Sequence, residues 1–179
     1  VYLGAVVNPI ISGNTITDLS VNATSGIFLI SCSNSFSIVN NKIRLRVGQG
    51  ISIENSDSPL GSEGLIANNF VSIGEGLATG VYGIFLTGSD RVRVYHNNVN
   101  ANSSVSGSRA LSNTSSTGLD VRNNIFACPL GAMPVQMTSS TSVTSNNNDF
   151  YTTGGLIGSW QNVSKATLAD WQLASGQDG

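Results

Sequence analysis

The sequence predicts an all-β chain wound as a solenoid of stacked parallel coils. Three observations predict it. A six-residue unit, apolar-x-x-Asn-x-apolar, recurs at nearly constant spacing; apolar residues alternate just before each unit; and a further short apolar strand, usually opening on Gly-Ile, follows each unit. The composition agrees. Of 179 residues, 40% are hydrophobic and only 10% charged, with twenty Gly and twenty Asn. That profile is rich in turns yet holds enough Ile and Val to bury a core.

The units are Ile11–Asn14–Ile16, Ile38–Asn41–Ile43, Ile66–Asn69–Val71, Val94–Asn97–Val99 and Val121–Asn124–Phe126. A sixth, Asn148–Phe150, has Ser145 at the leading position, and successive Asn lie 27, 28, 28, 27 and 24 residues apart. Five places before the Asn stand Phe36, Val92 or Leu119. Offsets −5, −3, 0 and +2 therefore point inward and the others are variable. Alternation before the Asn is the period of a strand buried on one face. The break in phase at the Asn marks a bend into a second strand. The third strand of each coil is Gly26–Leu29, Gly50–Ile53, Gly83–Leu86, Arg109–Ser112 or Pro134–Met137.

An inward Asn needs partners, because an unsatisfied buried amide costs about 1–3 kcal/mol. Coils stacked at the strand spacing of about 4.8 Å supply them. Each amide can then bond to the next, so Asn14, Asn41, Asn69, Asn97, Asn124 and Asn148 are expected to form one continuous ladder.

With these Ile-x-Asn-Asn-x-Ile units, the chain resembles the right-handed parallel β-helix proteins of the pectin-lyase-like superfamily over residues 1–152. The resemblance implies a single-stranded right-handed β-helix of about six coils, from a bacterial protein that is secreted or carried on the cell surface. The rival solenoid with an Asn ladder, the leucine-rich repeat, needs an L-x-x-L-x-L frame that is absent.

Residues 153–179 are expected to cap the stack. Thr167 and Asp170 form a capping-box start and Gly176 a stop, which predicts a short helix over 168–175 with Trp171 against the last coil. The run from Thr167 to Asp178 also resembles a segment that ends β-helix domains in bacterial secreted and surface proteins. At the other end, Val1–Val7 reads as the last strand of an incomplete coil with its N-terminal side uncapped, so the expectation is either a fragment of a longer solenoid or a neighbouring domain or subunit on that side. The stretches Ser56–Gly64 and Gly74–Gly80 lengthen one coil.

Charge and motif content narrow the function. Eight Lys plus Arg against ten Asp plus Glu leave no basic surplus for nucleic acid. No apolar run is long enough to cross a bilayer as a helix. Cys32 and Cys128 have neither zinc-site spacing nor the number of a disulfide scaffold, and no metal or cofactor motif appears.

Stacking the coils brings outward residues together. Offset −4 puts Arg93 beside Asp120, offset −2 puts Tyr95 beside Arg122, and offset −1 puts His96 between Asn68 and Asn123, with Arg91 near. Arginine pairs with carboxylates, an aromatic face packs on a sugar ring, and His or Tyr can move a proton. Arg93, Tyr95, His96, Asp120 and Arg122 are thus the candidate ligand-binding residues, with His96, Asp120 and Arg93 the catalytic candidates. The competing reading is a cross-coil ion pair and cation–π stack, with His96 a structural substitute for the Asn found there in other coils. Lys42, Arg44 and Arg46 alternate along one strand as a basic edge, and Phe28 and Phe85 fall at outward positions.

Catalytic elements of the superfamily are missing. The chain lacks the clustered calcium-binding Asp and Arg-x-Pro-x-x-Arg of pectate lyases, the Asn-Thr-Asp, Asp-Asp, His-Gly and Arg-x-Lys of polygalacturonases, and the Asp-Pro-His-Glu of mannuronan epimerases. The expectation is a noncatalytic module of a larger extracellular protein, either binding a polysaccharide or cell-surface glycan or serving a structural or adhesive role. The alternatives are a polysaccharide-active lyase, hydrolase or epimerase, and an oligomeric fibre segment of the phage type.

Overall fold

A computed structural model describes residues 1–75, 80–139 and 141–179. The chain turns through six coils of three short strands each. The first holds β1 (Tyr2–Gly4), β2 (Ile10–Ser12) and β3 (Thr15–Asp18); the second β4 (Ser25–Ile30), β5 (Ser37–Val39) and β6 (Lys42–Leu45). The third holds β7 (Gly48–Glu54), β8 (Gly64–Ala67) and β9 (Phe70–Ile73); the fourth β10 (Val81–Thr87), β11 (Val92–Tyr95) and β12 (Asn98–Ala101). The fifth holds β13 (Arg109–Asn113), β14 (Asp120–Arg122) and β15 (Ile125–Cys128); the sixth β16 (Met133–Met137), β17 (Thr144–Asn146) and β18 (Asp149–Thr152).

Equivalent strands stack into three sheets. The first runs β1-β4-β7-β10-β13-β16, the second β2-β5-β8-β11-β14-β17 and the third β3-β6-β9-β12-β15-β18. Every pairing among these strands is parallel. Register follows the repeat, so Ile11, Ile38, Ile66, Val94 and Val121 pair in one column. Ile38, Ile66 and Val94 are wholly buried, as are Phe36 and Phe126 to within 1%. The expected inward phase is the observed one.

The ladder is continuous. From Asn14 to Asn148, each of the first five Asn donates both its backbone N–H and its Nδ2 to the Oδ1 of the next, at 2.9–3.0 Å. The residue before each ladder Asn has positive φ: Gly13 69°, Asn40 58°, Asn68 55°, His96 54°, Asn123 57° and Asn147 55°. That left-handed conformation favours Gly and Asn. The Asn-Asn pair is thereby explained: one residue turns the backbone and the next satisfies the interior.

A second file lies at the corner between the first and second sheets. Backbone N–H groups of Cys32, Ser56 and Ser89 donate to the Oγ of Ser56, Ser89 and Ser116 at 2.9–3.0 Å. Here too a left-handed residue precedes, in Ser31, Asn55 and Gly88. Gly26, Gly50 and Gly83 stand near the start of β4, β7 and β10, where a side chain would not fit. A Cβ on Gly83 would lie 2.1 Å from Val99 Cγ1 and 2.6 Å from the Ala110 carbonyl.

The first sheet continues beyond Tyr151, where the sequence pattern ends. β19 (Gly158–Trp160) extends it in parallel and β20 (Val163–Lys165) closes it antiparallel. Helix α1 spans Leu168–Ser175 as expected, with Thr167 and Asp170 completing the capping box and Gly176 left-handed. Trp171 is fully buried, 5.6 Å from the Phe150 ring and 5.3 Å from that of Trp160. In the stretch Gly74–Gly80, residues 76–79 lie outside the described residues.

Candidate functional site

The solenoid presents three outward faces, and the residues singled out in the sequence lie on the second sheet. Strand register pairs Arg93 with Asp120 and Tyr95 with Arg122. The side chains choose other partners. Arg93 pairs at 2.6 Å with Glu63, which lies just before β8, and Arg122 reaches back within its own strand to Asp120 at 2.5 Å. The Tyr95 hydroxyl donates to the other Asp120 oxygen.

This bonding shifts two groups of the cluster, Glu63 and Tyr95. Backbone N–H groups of Glu63 itself and of Gly61 hold the Glu63 carboxyl below the usual range, with Arg93 and Arg91 adding to the effect. Partial burial, then the bond to Asp120, pushes the Tyr95 phenol up to about 12. A general acid at neutral pH needs a raised carboxyl, and a phenolic base needs a lowered phenol. Glu63 and Tyr95 are shifted the other way. His96 is exposed and lies edge-on to the Tyr95 ring, centroids 6.5 Å apart, in the left-handed turn position that Asn holds in four other coils. Arg91, also left-handed, turns its guanidinium onto the Ser58 carbonyl.

On the first sheet, Phe28 and Phe85 share one outward column, separated by Ser52. Each ring is covered on one side by a tyrosine, Tyr2 at 5.3 Å and Tyr82 at 5.2 Å. They are half-buried rather than free platforms.

The third sheet carries a groove of about 430 Å³ across β3, β6, β9 and β12. Two outward columns form it: Thr15, Lys42, Phe70 and Asn98, and beside them Thr17, Arg44, Ser72 and Asn100. Phe70 is 59% exposed and has no ring partner among the described residues. Lys42 is exposed and makes no ion pair there either, while Arg44 shares Glu75 with Arg46 at 3.4 and 3.9 Å. Asn100 Oδ1 is shut off from solvent without a hydrogen-bond donor among the described residues, a deficit of about 1–3 kcal/mol.

Of these residues, only Lys42 and Arg44 were singled out by their sequence pattern. The signal for Phe70, Asn98 and Asn100 lies in offsets +1 and +3 from the ladder Asn, the outward positions of the strand after the bend. Their side chains share no chemistry along the column, so only the stacked register brings them into one surface.

Among the described residues, no group of His, Cys, Asp and Glu is placed to hold a metal ion, and no helix is long and apolar enough to cross a membrane. The fold and its faces define a parallel β-solenoid of about six coils. No protein-family model, curated protein or solved structure matches the chain.

Proposed function

We propose that this solenoid is a noncatalytic carbohydrate-binding module of an extracellular or cell-surface protein, with the groove centred on Phe70 as its binding face. The observation that carries the reading is an aromatic ring, largely exposed on a flat sheet, framed by the hydroxyls of Thr15, Thr17 and Ser72 and the amides of Asn98 and Asn100. A sugar ring has the complementary character, apolar on its C–H faces and polar around its rim. Among the described residues no side chain covers this surface, although exposing an aromatic ring to water is unfavourable.

The cluster of Glu63, Arg93, Tyr95, Asp120 and Arg122 we read as a clamp between neighbouring coils, since its charges are spent on one another. His96 belongs to the turn. The resemblance of the repeat unit to pectin-lyase-like β-helices supports an extracellular or surface setting for the whole.

An oligosaccharide array probed with the wild-type chain and Phe70→Ala tests the proposal, followed by reducing-end and unsaturated-product assays on the hits. Binding is expected without turnover, weakened about tenfold by Phe70→Ala, the equivalent of about 1.4 kcal/mol of ring contact. Absence of binding to any glycan sinks the reading. Turnover abolished by His96→Ala would replace it with the enzymatic one.

A further inference from the structure

We propose that the first sheet carries a second binding site, a trough over the third coil that takes a trimethylammonium group, with Tyr2, Phe28 and Tyr82 packing on its methyls and Glu54 balancing its charge. The site lies on a different face from the groove of the third sheet and stands independently of the carbohydrate reading.

The trough follows from which coils carry rings. Phe28 in β4 has Ser52 as its register partner in β7, and Tyr82 in β10 has Gln49. Rings of the second and fourth coils therefore rise on either side of a third coil that puts no aromatic residue between them, and Tyr2 in β1 extends the wall formed by Phe28. The space left is about 620 Å³. Tyr2 is largely exposed, and Phe28 and Tyr82 are half-buried. Neighbouring strands lie about 4.8 Å apart, so a group seated over β7 comes within about 6 Å of rings on both sides, the range of a cation–π contact.

Charge singles this trough out. Among the described residues that line it, Glu54 alone is charged, and its carboxylate makes no ion pair with any of them. One oxygen accepts the Ser52 hydroxyl at 3.2 Å, which holds the carboxylate over β7. Two cations at this sheet are turned elsewhere. The Val1 ammonium donates to the Gly26 carbonyl at 2.7 Å, and Arg109, one coil beyond Tyr82, gives Nη1 to the Ser106 and Ser108 carbonyls. A carboxylate without a cation, beside aromatic faces, attracts positive charge both directly and through the ring quadrupoles.

The kind of cation follows from the acceptors on offer. A metal ion would need several oxygen ligands where this trough has rings. A primary ammonium or a guanidinium brings several N–H donors, yet Glu54 Oε1 is already engaged by Ser52, and Gln49 Oε1 by the Ser25 hydroxyl at 3.4 Å. A trimethylammonium group has no donor to satisfy and spreads its charge over methyls that pack on rings. A neutral ligand of the same shape would gain nothing from Glu54.

Proton NMR titrations of the full chain test the proposal, with choline chloride as the probe and, as control, its neutral isostere in which a quaternary carbon replaces the nitrogen. Choline is expected to shift the ring resonances of Tyr2, Phe28 and Tyr82 saturably and to bind about fivefold tighter than the isostere. Glu54→Gln, which keeps an acceptor for Ser52, should bring choline down to the isostere's affinity without moving the melting temperature. Tyr82→Leu should weaken choline about fivefold, while Phe70→Ala, on the other face, should leave it unchanged. Sedimentation with phosphatidylcholine vesicles separates the sources of the group. Wild-type protein carried down with the vesicles, and Glu54→Gln left behind, assigns it to a lipid headgroup; choline binding without vesicle binding assigns it to a soluble compound. Equal affinity for choline and the isostere, choline binding that survives Glu54→Gln, or the absence of any saturable shift overturns the proposal.

Discussion

Asp178 ends the amide file that begins at Asn14, because its Oδ1 accepts from both the Nδ2 and the backbone N–H of Asn148, at 3.0 and 3.2 Å. Each Asn in the file donates toward the C-terminal end, so the last one needs an acceptor that is not another Asn. The carboxylate supplies it, and its second oxygen takes the Trp171 Nε1–H at 3.0 Å and the Ser145 hydroxyl. One side chain thus ties the ladder to the capping helix.

Replacing it should loosen both. Asp178→Ala is expected to cost about 2–3 kcal/mol, since hydrogen bonds to a buried charged group are lost and donors are left behind. Asp178→Asn, which keeps the Oδ1 acceptor, should cost less. Urea unfolding of the two variants would check this, and an unchanged midpoint for the alanine variant would refute the terminating role.

Position along the file should set the cost of breaking it. Asn97→Ala leaves the Asn69 N–H without its acceptor and the Asn69 Nδ2 with the Ile38 carbonyl alone, while the Asn124 Oδ1 keeps the backbone N–H of residue 97 but loses the Nδ2, and the Ile66 carbonyl loses its side-chain donor. A loss of about 3 kcal/mol or more is expected. Asn14 is exposed and nothing among the described residues donates to its Oδ1, so Asn14→Ala should cost under about 1 kcal/mol. Equal melting temperatures for the two variants would contradict a directional ladder.

Tyr95 makes the clamp between coils sensitive to alkali. Burial and the bond to Asp120 push its phenol up to about 12 from the ordinary 10.0, so the folded protein holds this proton more tightly than the unfolded chain. The sign follows from linkage: the contribution is complete below pH 10 and falls away as pH rises from about 10 to about 12. Melting curves over that interval should drop more steeply for the wild type than for Tyr95→Phe. Parallel curves would remove Tyr95 from the account.

Cys128 should be silent toward thiol reagents in the native state. It is fully buried, and burial pushes its thiol up to about 12. At pH 8 a disulfide-exchange reagent should therefore leave it unmodified until denaturant is added, because the reactive thiolate is both scarce and inaccessible. Rapid native labelling at Cys128, read by mass spectrometry, would show that the fifth coil opens.

Steric closeness at the start of the first-sheet strands gives the last test. Gly83→Ala places a methyl against Val99 and the Ala110 carbonyl, and overpacking of this kind costs about 1–3 kcal/mol. Gly80→Ala, whose methyl would meet nothing within 4 Å among the described residues, serves as its control in the same thermal melts.

The repeat was legible because its cause is local and recurs. An inward Asn after a left-handed residue imposes the same two demands in every coil, so Asn41, Asn69 and Asn124 repeat an Asn-Asn pair, and the helix start at Thr167–Asp170 likewise needs only neighbours in sequence. The Ser56–Ser89–Ser116 file was not legible, since Ser is common throughout this chain and Cys32 takes its place in one coil.

Sequence by itself determined the three strands per coil, the inward phase and the order of the ladder, all of which follow from short-range alternation and one buried amide. Only the tertiary structure decided which charges are spent and which are free. Glu63 rather than Asp120 engages Arg93, Asp178 closes the file from 30 residues beyond Asn148, and Lys42 and Phe70 stand uncovered side by side. Side chains select partners by reach and direction across coils, and those are properties of packing that spacing along a chain does not contain.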